Sequence, residues 1–165
     1  MGTINEEKII KKVFWEDAIS VAEFLPVIIQ CDNDWWKKIF ELSEYTLIDA
    51  LKISRGDLFG TDYSKRSYYV PDWLEEARRT NIVIITNFDS IPIYSEDSNV
   101  ICQRDFAHLI RASEEREEYR ELNFSSGIYV PFCLRVFFIL PSNSVVDPFL
   151  LGRCGLMHIY SEPVD

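Results

Sequence analysis

The 165-residue sequence has few side chains that bind metals or act as strong nucleophiles, with only four cysteines and two histidines. The cysteines form no Cys-x-x-Cys pair and the histidines lie far apart along the chain, so their spacing matches no common zinc site. We therefore predict no metal site and four reduced thiols, most of them buried as small apolar side chains. The six residues are Cys31, Cys102, Cys133, Cys154, His108 and His158.

Long hydrophobic runs are also missing. The longest uninterrupted apolar runs are Val136–Leu140 and Ile82–Ile85, which are far shorter than the roughly 20 residues of a membrane-spanning helix. The segment Met1–Lys12 is charged and has no apolar stretch of the kind found in secretory signals. The sequence thus predicts no membrane partner and an intracellular location, either cytoplasmic or nuclear.

Positive charge is scarce. The chain has 17 Lys and Arg against 27 Asp and Glu, which gives a net charge of −10. Such a field repels phosphate backbones, so charge-driven binding of nucleic acid is not expected. Apolar residues make up 47% of the sequence and aromatic residues 14%, enough to fill a core and to exclude an intrinsically disordered chain.

Glycine and proline are few, 6 and 7 in number, and they mark no linker, so we predict one domain. Short apolar runs alternate with amphipathic segments, which predicts a three-layer α/β/α sandwich around a mostly parallel sheet. In the helix after the first strand, we expect Trp35, Ile39 and Leu42 to form the apolar face. The predicted strands are Leu25–Gln30, Tyr45–Ala50, Ile82–Ile85, Arg135–Leu140 and Met157–Tyr160, and the predicted helices are Asp32–Leu42, one beginning at Pro71, and Gln103–Leu122.

Three segments, in order, resemble AAA ATPases. Glu76–Ile91 resembles that family's second helix and Walker B strand, and Val136–Ser144 is similar to its sensor-1 strand. Asp147–Cys154 resembles the box that carries arginine fingers, and Val13–Asp17 is similar to the family's opening motif. The resemblance implies a P-loop NTPase-like fold, with residues 1–165 forming one AAA-like large subdomain without the family's helical lid. It also implies oligomeric assembly with protein subunits or neighbouring AAA domains.

The segment Cys31–Lys38 stands where this resemblance places the phosphate-binding loop. Such a loop needs glycines, a lysine and a following hydroxyl, but here only Lys37 fits the pattern and Lys38 replaces the hydroxyl. Asp32 and Asp34 would place negative charge where a triphosphate must lie. The segment predicts that the phosphate-binding function has been lost.

The Walker B acids are also missing, because Thr86 and Asn87 stand where the family has the carboxylates that hold Mg²⁺ and activate water. We therefore predict a degenerate AAA module, a pseudo-ATPase that is not an enzyme, needs no cofactor and serves as a structural or regulatory subunit. One alternative is an AAA ATPase that binds ATP and Mg²⁺ and is active only in a complex. Another is a metal-dependent enzyme that uses Asp32 and Asp34.

Further candidate residues have two interpretations each. The resemblance makes Asn143 a sensor residue and Arg153 an arginine finger at a subunit interface, whereas the simpler alternatives are a turn residue and a surface arginine. It also implies a pore loop at Leu58, Phe59 and Gly60, and the alternative there is a turn with a buried Phe.

The segment Thr61–Val70 is a local basic and aromatic patch on an acidic protein. It could contact an acidic partner or a single strand, or its tyrosines could simply pack. In the central strands, Ile84, Val136, Phe138 and Ile139 are expected to be buried. The patch residues are Tyr63, Lys65, Arg66, Tyr68 and Tyr69.

Overall fold

The computed structural model describes residues 17–22, 25–41, 43–107, 119–122, 126–131, 134–141, 143–144, 148 and 152–159. The strands in these ranges are β1 Val27–Cys31, β2 Thr46–Asp49, β3 Thr61–Asp62, β4 Ser67–Tyr68, β5 Ile82–Thr86, β6 Tyr119–Glu121, β7 Tyr129–Pro131, β8 Arg135–Leu140 and β9 Gly155–Ile159. The helices are α1 (residues 17–22), α2 Trp35–Phe40, α3 Arg55–Phe59 and α4 Asp72–Thr80, with 3-10 turns at Phe88–Ser90 and Gln103–Phe106. No helix among the described residues is long and apolar enough to cross a membrane.

Five strands form a parallel sheet in the order β2-β5-β8-β1-β9. The central strands β5 and β8 are almost continuous apolar runs, as expected for strands that are covered on both faces. Ile84, Val136 and Phe138 are fully buried and Ile139 is 7% exposed, so the predicted core positions are confirmed. Helices flank both faces, and the prediction of a three-layer sandwich with a mostly parallel sheet is also confirmed.

Each face of the sheet has its own hydrophobic core. On one face, Leu58 of α3 and Leu74 of α4 belong to the same buried cluster as Phe138 of β8. On the other face, α2 packs against the sheet, with the rings of Phe40 and Phe137 at a centroid distance of 4.9 Å. The strand side chains alternate between these two clusters, which is the period of two expected for β structure.

Helix α2 corrects the predicted apolar face of the segment Asp32–Leu42. The helix begins at Trp35 and buries Trp36, Ile39 and Phe40, which are spaced i, i+3 and i+4 on one helical face. Trp35 is only half-buried, because the adjacent Trp36 faces the sheet instead. Leu42 lies outside the described residues.

The predicted helix Gln103–Leu122 is helical where the structure describes its start, which continues into an α-helical Ala107, and is wrong at its carboxyl end. Residues Gln103–Phe106 form a 3-10 turn, in which the Asp105 carboxylate accepts a hydrogen bond from the Cys102 N–H at 2.9 Å. At the other end, Tyr119–Glu121 is strand β6, paired antiparallel with β7. Pairing with β7 supplies the backbone hydrogen bonds that a helix would otherwise provide. The intervening residues lie outside the described ranges.

Candidate functional site: a cleft at the carboxyl edge of the sheet

A cleft of about 380 Å³ lies where four parallel strands end. Its walls come from the β1–α2 connection, from β2, from the segment after β5 and from the end of β8. The chain leaves the neighbouring strands β1 and β8 in opposite directions across the sheet, toward β2 and β9. In open parallel sheets, ligands bind at the carboxyl ends of the strands at such a reversal. The cleft is therefore the candidate site.

The wall from β2 and β5 is held together by side-chain hydrogen bonds. The Asn87 amide donates to Asp49 Oδ1 at 2.8 Å, and the same oxygen accepts the Leu51 N–H at 3.0 Å. Asn87 has a left-handed backbone with φ of 58°, a conformation that Asn adopts more readily than most residues. This geometry directs its amide across to the neighbouring strand and fixes the mouth of the cleft.

Asp89 lies on the same wall and is half-buried. Within the described part of the chain it makes no hydrogen bond or ion pair. Its neighbours in the lining are the hydroxyl side chain of Ser90 and the amide of Asn87. A ligand in the cleft would therefore meet a carboxylate that has acceptor positions to offer.

The opposite wall is formed by the β1–α2 connection. Lys37 Nζ lies 3.3 Å from Asp34 Oδ2 and 5.8 Å from the centroid of the Trp36 ring. The ammonium group is thus already neutralised by a carboxylate and faces an aromatic ring. Trp36 is buried and gives this wall an apolar base.

The electrostatics of the cleft disfavour a polyphosphate. Its lining carries the carboxylates of Asp34, Asp49 and Asp89 against the single ammonium of Lys37. The β1–α2 connection leads directly into the six-residue helix α2 and supplies no glycine-rich cradle of backbone N–H groups. The lining instead suits a ligand that carries positive charge and hydrogen-bond donors.

The Cys31 thiol also lines the cleft but is 3% exposed. Burial raises its pKa above the ordinary value of 9.0; a hydrogen bond from the Trp36 backbone N–H opposes this in part, and the negative charges of Asp32 and Asp34 raise the pKa further. The thiolate is the nucleophilic form of cysteine. A raised pKa keeps the Cys31 thiol mainly protonated at neutral pH.

We expect iodoacetamide at pH 8 to alkylate Cys31 at least about tenfold more slowly than the half-buried Cys154, because both burial and a raised pKa suppress the thiolate. The raised pKa also means that the folded state holds this proton more tightly than the unfolded state. The resulting stabilisation is present below pH 9.0 and is lost as the pH rises through the folded-state pKa. Peptide mapping by mass spectrometry gives the alkylation rates. Urea melts of the parent and of Cys31→Ala test the pH dependence, and the difference in their unfolding free energies should shrink at alkaline pH. Equal alkylation rates for the two cysteines would contradict the assignment.

The structure brings together some of the residues predicted as nucleotide-site remnants. Lys37, Thr86 and Asn87 line the same cleft. Lys38 is half-buried on α2 and is not part of the lining. Asn143 lies outside the cleft in an exposed turn, where the Ser144 N–H donates to the Pro141 carbonyl at 3.2 Å.

The pore-loop interpretation of residues 58–60 is corrected for Leu58, which is fully buried in the core. Phe59 is half-buried, and the guanidinium of Arg55 lies 5.7 Å from the centroid of its ring. Gly60 ends helix α3 with a left-handed φ of 65°. These three residues form a helix end rather than an exposed loop.

Arg153 lies in an exposed turn immediately before β9, an edge strand of the sheet. It interacts with other residues of the chain. Its predicted role at an interface stays a prediction.

Sequence reasoning did not single out three residues that line the cleft: Leu47, Asp49 and Asp89. A usable signal was present, since Asp49 lies one residue before the end of the predicted strand Tyr45–Ala50 and Asp89 follows the next predicted strand, Ile82–Ile85. Carboxyl ends of parallel strands meet at one edge of the sheet, so polar residues at these positions come together.

The fold and the cleft define a three-layer α/β domain with a parallel sheet and an acidic site at its carboxyl edge. No family model matches the chain, and no curated protein matches it. Among solved structures, NtrX from Brucella abortus matches with a TM-score of 0.54 and 14% sequence identity, over 88% of this chain and 35% of NtrX. At this identity the likeness shows the fold alone, and the chain spans about a third of the length of NtrX.

These comparisons overturn the identification as an AAA ATPase. NtrX is a matching structure, no family model matches the chain, and a shared fold does not by itself establish a shared function. Three dependent predictions are corrected with it. They are the P-loop NTPase-like fold, the function as a degenerate ATPase, and the alternative of an ATPase that is active only in a complex. The physical reason lies in the cleft, where the carboxylates of Asp34, Asp49 and Asp89 occupy the edge at which a triphosphate would have to bind.

Proposed function

We propose that this chain is a non-catalytic protein-interaction domain, and that the cleft receives a basic side chain from a partner protein. The observation that carries the proposal is the excess of carboxylates around an open cleft of about 380 Å³, including Asp89. A guanidinium group, with five N–H donors, matches this set of acceptors better than any other protein side chain.

Exposed leucines beside the cleft favour a protein over a small molecule as the occupant. Leu47 lines the cleft and is 48% exposed, and Leu51, two residues beyond Asp49, is 59% exposed. Apolar side chains next to polar acceptors are typical of protein interfaces, in which a buried apolar centre is surrounded by polar contacts. A partner segment with a leucine-like and a basic residue would satisfy both features.

One feature supports a non-catalytic role. The raised pKa of Cys31 disfavours thiolate chemistry in the cleft. The free thiols of Cys31, Cys102 and Cys154 are typical of a reducing compartment, and an intracellular location is part of the proposal.

Isothermal titration calorimetry with two matched peptides tests the proposal. One probe alternates Leu and Arg, and the other has Gln in place of each Arg. We expect the Leu-Arg peptide to bind and the Leu-Gln peptide to bind much more weakly. We also expect Asp89→Asn to weaken binding of the Leu-Arg peptide about tenfold, because the charge that faces the guanidinium is lost.

Asp97→Asn is the matched control, because Asp97 is exposed and lies outside the cleft lining. It removes the same charge from the chain and retains the acceptor for the Asn99 N–H. Equal weakening by both variants would show that net charge attracts the peptide and that the cleft is not the site. Tight binding of Mg²⁺ and ATP by the parent chain would also contradict the proposal.

A further inference from the structure

The hairpin formed by β3 and β4 is a second surface, and it carries exposed cations. The strands pair Thr61 with Tyr68 and Asp62 with Ser67, and residues 63–66 form the connecting loop. Tyr63 is 60% exposed and Tyr68 is 49% exposed. Lys65 and Arg66 are exposed at the loop between them. The hairpin thus carries two aromatic rings and two cations on a chain whose net charge is −10.

The hairpin is held rigidly against helix α3. A Cβ atom added to Gly60 would lie 2.3 Å from the Tyr69 carbonyl oxygen, and one added to Gly56 would lie 2.8 Å from the Thr61 carbonyl oxygen. The Tyr69 hydroxyl donates a hydrogen bond to Asp57, and burial followed by this contact raises the pKa of Tyr69 to about 12. Close backbone packing and this hydrogen bond fix the hairpin before any partner binds, which lowers the entropic cost of association.

The acidic side chain of the hairpin is engaged within its own loop. Asp62 Oδ1 accepts hydrogen bonds from the Ser64 hydroxyl at 2.8 Å and from the Ser64 and Lys65 N–H groups at 3.1 Å. The bond from the Ser64 hydroxyl is the main reason that the pKa of Asp62 lies below its ordinary value. Within the described part of the chain, neither Lys65 nor Arg66 forms an ion pair. The two cations are therefore available to a partner.

Arg66 has a left-handed backbone with φ of 50°. Gly or Asn adopts this conformation at lower cost, and an arginine there is an outlier of the kind that clusters at functional positions. The left-handed backbone at Arg66 closes the hairpin loop directly before β4.

We infer that the β3–β4 hairpin binds an acidic peptide segment of a partner protein. Charge complementarity selects the occupant, since Lys65 and Arg66 match carboxylates and the exposed tyrosine rings pack against the aliphatic parts of Glu side chains. A nucleic acid is disfavoured because two cations neutralise few phosphates and the rest of the chain is acidic. This surface is independent of the cleft, which binds a basic group.

Fluorescence anisotropy with labelled peptides tests the inference. One probe alternates Glu and Gly, and its matched control has Gln in place of each Glu. We expect the Glu-Gly peptide to bind, with an affinity that falls as salt is raised, and we expect Arg66→Glu to weaken it about tenfold. Tyr63→Ala should weaken binding less, because it removes packing and leaves both charges.

Lys52→Glu is the control, since the Lys52 side chain is 86% exposed, lies outside the hairpin and, among the described residues, makes only a long ion pair of 4.0 Å with Asp49. It reverses the same charge and should leave binding of the Glu-Gly peptide nearly unchanged. Equal weakening by Lys52→Glu and Arg66→Glu would overturn the inference, and so would binding of the Gln-Gly peptide as tight as that of the Glu-Gly peptide. A short oligothymidylate that binds more tightly than the Glu-Gly peptide would also overturn it in favour of a nucleic-acid surface.

Discussion

Phe138→Ala is expected to lower the free energy of unfolding by about 3–5 kcal/mol, because it removes an aromatic side chain from a fully packed core and leaves a cavity. Phe138 is 0% exposed and lies on β8, between β5 and β1. Its ring meets that of Phe88 edge-on at a centroid distance of 4.8 Å. The change therefore removes buried area and an aromatic pair at the centre of the sheet.

Urea denaturation followed by circular dichroism measures this effect. Leu156→Ala is the control, because Leu156 is also an apolar strand residue but is 62% exposed. We expect the control to change the unfolding free energy by no more than about 0.5 kcal/mol. If the two variants unfold at the same urea concentration, the assignment of Phe138 to the core is wrong.

Asp105→Ala is expected to destabilise the chain by about 3 kcal/mol, since it removes one partner of a largely buried ion pair. Asp105 is 8% exposed, and its Oδ1 lies 3.2 Å from Arg55 Nε. Its second oxygen accepts the Cys102 N–H at 2.9 Å. The substitution leaves a guanidinium and a backbone donor without this acceptor. Arg55 is one-third exposed, which lets water compensate in part and places the loss at the lower end of the range for buried pairs.

A double-mutant cycle separates the ion pair from the backbone hydrogen bond. Asp105→Asn retains an acceptor for the Cys102 N–H and removes the charge, while Arg55→Met removes the guanidinium and keeps much of the aliphatic chain. We expect a coupling energy of about 1–3 kcal/mol between the two changes from urea melts. Strictly additive effects would show that the pair contributes nothing to joining α3 to the Gln103–Phe106 turn.

The sequence predicted the central sheet well, for a physical reason that particular strands illustrate. Ile82–Thr86 and Arg135–Leu140 are short, β-branched or aromatic runs bounded by polar residues, and such runs are covered on both faces in parallel sheets. The predicted helix Gln103–Leu122 was wrong at Tyr119–Glu121, because charged and polar residues fit a helical period as well as they fit a strand. Only pairing with β7, which is distant in sequence, makes Tyr119–Glu121 a strand.

The site was predicted only in part. Thr86 and Asn87 were singled out because the resemblance to AAA ATPases placed them at the Walker B acids, and the structure does place them in the cleft. Their assigned role was wrong because an apolar strand followed by polar residues is a feature of the fold, and the fold does not determine the chemistry at its edge. The acidic character of the cleft depends on Asp34, Asp49 and Asp89, which only the sheet topology brings together.

An NMR titration with the Leu-Arg peptide tests the central claim, that the cleft is a binding site for a basic partner segment. In ¹⁵N-labelled protein, we expect the largest shifts at the backbone amides of Asp89 and Ser90, the side-chain amide of Asn87 and the indole N–H of Trp36. These groups belong to three residues at the end of β5 and to one on the opposite wall. Shifts that avoid these four signals, or that are equally large with the Leu-Gln peptide, would contradict the account.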